Sequence, residues 1–201
     1  MYVILAHDGL AGSIADDENN NLIEIMFKDG LMNQVCTELQ KTITKSHITK
    51  PNVIIAAGSF NVCSNNLGDL ARLYCYGELH GVEVVDGIVE QILTQINDIW
   101  RVIKEKEGKL AICSLIPNHR ILKQSTYRDI LTEAYDDVNA EFKSLNEMIS
   151  GGHYWIDKPL YYRNTKKLVK GYFENDELHL NSKGQKKVKQ GLKSIIKKFT
   201  S

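Results

Sequence analysis

Three short, nearly unbroken apolar runs, residues 2–6, 53–57 and 110–116, constrain this chain more than any other feature. Runs of that length without polar alternation read as strands covered on both faces, as in a parallel sheet. Residues 22–26 alternate apolar with polar and are expected nearer a sheet edge, and residues 153–156 are the last strand candidate. Between these lie segments of another period. Leu31, Val35, Leu39 and Ile43 recur every fourth residue. Val85, Ile88, Val89, Ile92, Ile96, Ile99 and Ile103 follow a helical period up to Gly108. Ile130, Leu131, Ala134, Val138, Phe142, Leu145 and Ile149 predict a third helix over residues 127–150. Asn181 or Ser182 can cap a final helix with Val188, Leu192, Ile195, Ile196 and Phe199 turned inward. Gly184 and Gly191 weigh against that helix at about 1 kcal/mol each. Strands alternating with long helices give βαβ units, hence an α/β chain with a parallel sheet and helices on both faces. With 201 residues, 43% of them hydrophobic, a single domain over residues 1–201 is expected and wholesale disorder is excluded.

In such sheets, sites gather at the carboxyl ends of the strands. Four stretches fall there: His7-Asp8-Gly9-Leu10, the turn at Gly30, Gly58-Ser59-Phe60-Asn61, and the loop before the last helix. That loop reads Asp176-Glu177-Leu178-His179, then Leu180-Asn181-Ser182-Lys183-Gly184. An acid three residues before a histidine can hold the imidazole by its Nδ1 hydrogen and leave Nε2 as a general base. The same bond can equally do no more than pin the loop to the sheet.

Taken together, these stretches resemble the four blocks of the SGNH (GDSL-type) hydrolase superfamily. The resemblance implies a flavodoxin-like three-layer sandwich whose five parallel strands run in the order 2-1-3-4-5. It makes Asp176 and His179 the acid and base, followed by the family's Asn181 and Gly184. It assigns oxyanion donors to Gly30, Gly58 and Asn61; Asn61 serves only with a one-residue slip, because strict alignment puts Phe60 at the asparagine position. It places the nucleophilic serine at Gly9, which has no side chain. Acyl transfer by this route needs an oxygen within about 3 Å of the base. The implied role is therefore a catalytically degraded domain that binds RNA, another phosphate-bearing ligand or a protein. The alternative is an esterase or deacetylase using water or a substitute nucleophile, for which Ser13, Ser59 and a water held by Asp8 and His179 are candidates. His7, where the family has a small residue, narrows the entrance; a packed surface histidine is the plainer reading.

No cofactor and no metal are expected. Cys36, Cys63, Cys75 and Cys113 lie far apart with no C-x-x-C pair, which suits buried reduced thiols. The apolar run at residues 2–6 is too short for a signal peptide or a membrane span, so a cytoplasmic location without a membrane partner is expected.

The formal net charge is zero, from 25 basic and 25 acidic residues. Residues 157–201 nevertheless hold 12 basic against 4 acidic residues, a net +8, which leaves −8 on the rest. Lys166, Lys167 and Lys170 are interleaved with Tyr161, Tyr162 and Tyr172, and Lys186, Lys189 and Lys193 recur at helical spacing. Lysines so arranged neutralise phosphates without reading bases, so any polyanion bound would be bound non-specifically. A solvated amphipathic helix is the plainer reading.

Overall fold

The computed structural model describes residues 2–14, 21–46, 48–63, 78–117, 128–145, 148–176 and 178–200. Five strands form one parallel sheet: β1 (Val3–His7), β2 (Leu22–Met26), β3 (Asn52–Ala56), β4 (Lys109–Cys113) and β5 (Gly152–Tyr154). Their order is β2-β1-β3-β4-β5, as the resemblance implied. Among the described residues, five α-helices connect or follow them: α1 (Met32–Lys45), α2 (Ser59–Cys63), α3 (Glu78–Glu105), α4 (Arg128–Ser144) and α5 (Ser182–Thr200). The short α2 directly after β3 has no counterpart in the sequence reading.

The connections from β2 to β3, β3 to β4 and β4 to β5 all step the same way across the sheet. Right-handed crossovers therefore place α1, α3 and α4 on one face, where α1 packs on α3 and α3 on α4. The opposite face is covered by α5, which packs on β1 and on the two 3-10 turns Lys158–Leu160 and Lys170–Tyr172. The central strands β1 and β3 are buried at every residue, as their unbroken apolar runs require. The core continues through Ile88, Ile92, Ile96, Ile99 and Ile103 of α3 and Val188, Leu192, Ile195 and Ile196 of α5. Val85, Ile130, Leu131 and Ala134, expected to face inward, and Cys63 and Cys75 fall outside the described side chains. Cys36 and Cys113 are free and buried, and burial raises both thiols, Cys36 to about 12.

Two elements are shorter than their apolar runs. The strand expected over 110–116 leaves the sheet after Cys113, because side chains replace the ladder there: Leu115 donates its N–H to Asn139 Oδ1 and Ile116 to Ser59 Oγ, both at 2.8 Å. The third helix ends at Ser144 rather than at 150. At the last helix the cap is Asn181, whose Oδ1 accepts from the N–H groups of Lys183 (3.0 Å) and Gly184 (3.1 Å). Gly184 sits inside α5 for a packing reason: a Cβ there would lie 2.3 Å from the Tyr172 carbonyl oxygen.

Register positions the site. His7 pairs with Met26 on one side and Ala56 on the other, so the carboxyl ends of β1, β2 and β3 are level. The segments that follow them therefore open onto one rim, where the loop before α5 joins them.

Candidate active site

The imidazole of His179 is held from both sides. Nδ1 donates to Asp176 Oδ2 at 2.6 Å, and Nε2 meets Asp29 Oδ1 at 2.7 Å. Asp176 also accepts the backbone N–H groups of Leu178 and His179 on Oδ1, which fixes the loop around the ring. The Phe60 ring lies 6.0 Å from the imidazole, centroid to centroid. Burial alone would lower the histidine, but hydrogen bonds and charge from both carboxylates outweigh it and raise its pKa. Desolvation likewise opposes ionisation of Asp176, yet its bonds to His179 and to the two amides bring it down to about 2. A carboxyl oxygen at each ring nitrogen favours the protonated ring, in which both nitrogens donate, and that works against uptake of a proton by Nε2.

Asp29 comes from the turn between β2 and α1 and adopts a left-handed conformation, φ 57°. The same turn closes over the position expected for the serine. Gly9 has φ 83°, and a Cβ built there would lie 2.9 Å from the Phe27 carbonyl oxygen and 3.1 Å from Lys28 Cα. Left-handed φ already disfavours any side chain at Gly9. The Gly9 loop is further fixed by His7, which donates from Nε2 to Glu24 Oε1 at 2.9 Å and accepts the Gly9 N–H on Nδ1 at 3.3 Å. His7 is buried, contrary to the surface histidine expected, and burial keeps its pKa low and the ring neutral. Next to it, Asp8 is fully buried, and desolvation raises its carboxyl to about 7 despite hydrogen bonds from Leu10 and Ser59.

Of the oxyanion candidates, Gly30 and Asn61 are committed elsewhere. Gly30 donates its N–H to the Phe27 carbonyl at 3.1 Å. Asn61 accepts the Met32 N–H on Oδ1 at 2.8 Å, which secures the start of α1. Gly58 has φ 111°, and a Cβ there would lie 2.9 Å from a Leu115 methyl. Neither substitute serine reaches the histidine: Ser13 donates to Glu24 Oε2 at 2.8 Å, and Ser59 is buried with its hydroxyl accepting from Ile116.

No family model and no curated protein sequence matches the chain. Solved structures do match. A GDSL-like lipase from Bacteroides thetaiotaomicron aligns over 98% of this chain and 88% of its own at a TM-score of 0.67 and 15% identity. A lipase from a goat rumen metagenome aligns over 96% of each chain at 0.62 and 14%. An esterase from Pseudoalteromonas sp. aligns over 99% of this chain and 98% of its own at 0.56 and 11%. The chain has the GDSL-hydrolase fold. At these identities the likeness is one of fold, so the chemistry rests on the residues themselves.

Within the GDSL fold, the structure brings Asp176, His179, Gly9, Gly30, Gly58 and Asn61 to one rim. It adds two residues that the sequence reading missed as site members, Asp29 and Glu24, and sets Phe60 against the imidazole. Among the lysines, Lys183, Lys186, Lys187, Lys193, Lys197 and Lys198 of α5 are exposed and Lys189 is half-buried. Lys167 and Lys170 are exposed on the preceding loop, whereas Lys166 forms an ion pair with Asp136 of α4 at 2.9 Å. Among the described residues no cluster of ligands suited to a metal occurs, and no helix is long and apolar enough to cross a membrane.

The clamp has a pH signature. A raised histidine gives stability that is complete below its ordinary value near 6.5 and lost as pH rises through the folded value. A depressed aspartate gives stability that is complete above its ordinary value near 3.8 and lost as pH falls toward 2. Both contributions are present together between roughly pH 4 and 6.5. His179→Gln is expected to lower stability by about 1 kcal/mol in that window, as for exposed ion pairs, and by less on either side. Denaturant melts of both proteins at pH 3, 5.5 and 8.5 check this; an equal difference at all three would overturn it.

Proposed function

We propose that this domain works by binding nucleic acid through the face built by α5, and not by serine hydrolysis. One observation carries the proposal. Helix α5 bears seven lysines and no acidic residue, with six of the lysines exposed. Helices α3 and α4, on the far side of the sheet, carry seven acidic and three basic residues among their described side chains. The lysines of α5 and the described acids of α3 and α4 thus lie on opposite sides of the sheet. A dipole of that kind steers a polyanion onto one side of the molecule. The exposed lysines from Lys183 to Lys197 extend along about 21 Å of helix at 1.5 Å per residue, enough to follow several backbone phosphates. The occupied state of His179 and the space denied to a side chain at Gly9 support the other half of the reading.

Fluorescence anisotropy of a labelled oligonucleotide tests it. If three or four phosphates are neutralised, log K is expected to fall with log salt at a slope of about −2 to −4. Lys183→Glu with Lys186→Glu and Lys187→Glu is expected to weaken binding at least tenfold. Affinity indifferent to salt and to these substitutions would sink the proposal. Hydrolysis is the second reading. It is favoured by the fold and by the intact Asp176–His179 pair, with Asp29 standing at Nε2 where a nucleophile would be; its test is argued in the Discussion.

A further inference from the structure

We propose that the β5 edge of the sheet is a stacking platform for single-stranded nucleic acid. The proposal rests on the polyanion reading above and names the strand form that it takes. Strand β5 pairs only with β4 among the described strands, so its outer side is an edge of the sheet. The chain there runs His153-Tyr154-Trp155, and successive side chains point to opposite faces of a strand. On one face, Trp155 is 40% exposed and sits edge-on to His153 with ring centroids 4.8 Å apart. Lys158 Nζ lies 5.0 Å from its ring centroid. On the other face, Lys198 Nζ of α5 lies 5.2 Å from the Tyr154 ring centroid.

Trp155 and Tyr154 are thus each paired with a cation. Burial, then the charges of Lys143 and Lys158, lower His153 to about 4, so it meets Trp155 as a neutral ring. An exposed indole with Lys158 beside it offers a π-face for a base and a charge for a neighbouring phosphate. Stacking of this sort tolerates any base. A duplex keeps its bases stacked inside and can use only the lysines. Lys198 belongs to α5, so the Tyr154 side of the edge adjoins the basic helix, while Trp155 with Lys158 stands on its other side. Tyr162, 54% exposed, lies on the neighbouring loop with Lys167.

The experiment compares a labelled 12-nucleotide single strand with a hairpin duplex of the same composition, using the full chain and Trp155→Ala, Trp155→Phe and wild type. Wild type is expected to bind the single strand about tenfold more tightly than the hairpin. Trp155→Ala is expected to remove that preference and leave hairpin binding within twofold, while Trp155→Phe retains most of it. Trp155 is exposed and lies outside the helices, and circular dichroism verifies that each variant is folded. Equal binding of both forms, or a preference that survives Trp155→Ala, would overturn the platform while leaving the α5 reading intact. Binding of neither form would overturn both. Binding of phosphatidylserine vesicles with no oligonucleotide bound would overturn both in favour of a membrane surface.

Discussion

Asp8→Asn is expected to stabilise the protein at pH 8 by on the order of 2–4 kcal/mol and to leave it nearly unchanged at pH 4. Asp8 lies at the end of β1 with 2% of its surface exposed, and its Oδ2 has no hydrogen-bond partner. The carboxyl accepts a long bond, 3.3 Å, from the Leu10 N–H on Oδ1 and hydrogen bonds from Ser59, which desolvation outweighs. Such an environment favours the neutral acid, and the pKa rises from 3.8 to about 7. The sign follows from linkage. Between those two values the folded state holds a proton that the unfolded chain has lost, so stability falls as pH rises. The cost is absent below the ordinary value and complete above about 7. Three units correspond to about 4 kcal/mol, an upper figure because local relaxation shares the burden. Asparagine keeps the shape and the acceptor for Leu10 but carries no charge to bury. Asp157, buried beside Ser114 and also raised, contributes the same trend in both proteins and cancels in the comparison. Thermal melts of wild type and variant at pH 4 and pH 8 decide the matter. A variant whose advantage is the same at both values, or that is less stable at pH 8, would show that Asp8 is not held neutral.

The parts of this molecule that sequence made legible are those with a period. Ile88 to Ile103 declared α3 by repeating every three or four residues, and residues 53–57 declared β3 by containing nothing polar. Even the Asn181 cap was readable, because capping is a rule about neighbours. The clamp was half readable for the same reason: Asp176 and His179 are three residues apart, whereas Asp29 is 150 residues away. In sequence, Lys28-Asp29-Gly30 signals only a turn, and no spacing rule connects a turn to a histidine at the other end of the chain. His7 was misplaced on the surface because a histidine after an apolar run marks the end of a strand. Its burial depends on Glu24, contributed by β2 across the parallel register, and pairing partners are not written in either strand alone. The opposed faces had the same fate. Counting exposed the two halves, but only the handedness of the crossovers put the lysines of α5 and the described acids of α3 and α4 on opposite sides of the sheet.

The most direct attempt to restore a nucleophile, Gly9→Ser, is expected to lose about 2–4 kcal/mol of stability and to produce no esterase. The backbone at Gly9 costs an L-residue roughly 1–3 kcal/mol. Its new Cβ would press on the Phe27 carbonyl at 2.9 Å, an atom of the β2–α1 turn that cannot rotate away. The turn carries Asp29, so relief of the clash disturbs the clamp as well. If the turn yields, the serine still meets a ring whose Nε2 is engaged with Asp29 and whose protonated form is favoured. A ring so engaged is a poor acceptor for the hydroxyl proton, and Gly30, whose N–H is turned to Phe27, is not aimed at an oxyanion. Two obstacles therefore stand in series, and removing one is not enough. Asp29→Ala frees Nε2 and lowers the histidine toward its ordinary range, so the double variant with Gly9→Ser is the one expected to show any turnover of an aryl acetate. Wild type and Gly9→Ser alone are expected to stay at the buffer rate. Turnover by wild type that disappears in His179→Ala would instead establish the hydrolase reading, with Asp29 or a water serving as nucleophile. A Gly9→Ser protein with an unchanged melting temperature would show that the turn has room for the side chain, and that the vacancy at this position is one of residue type rather than of space.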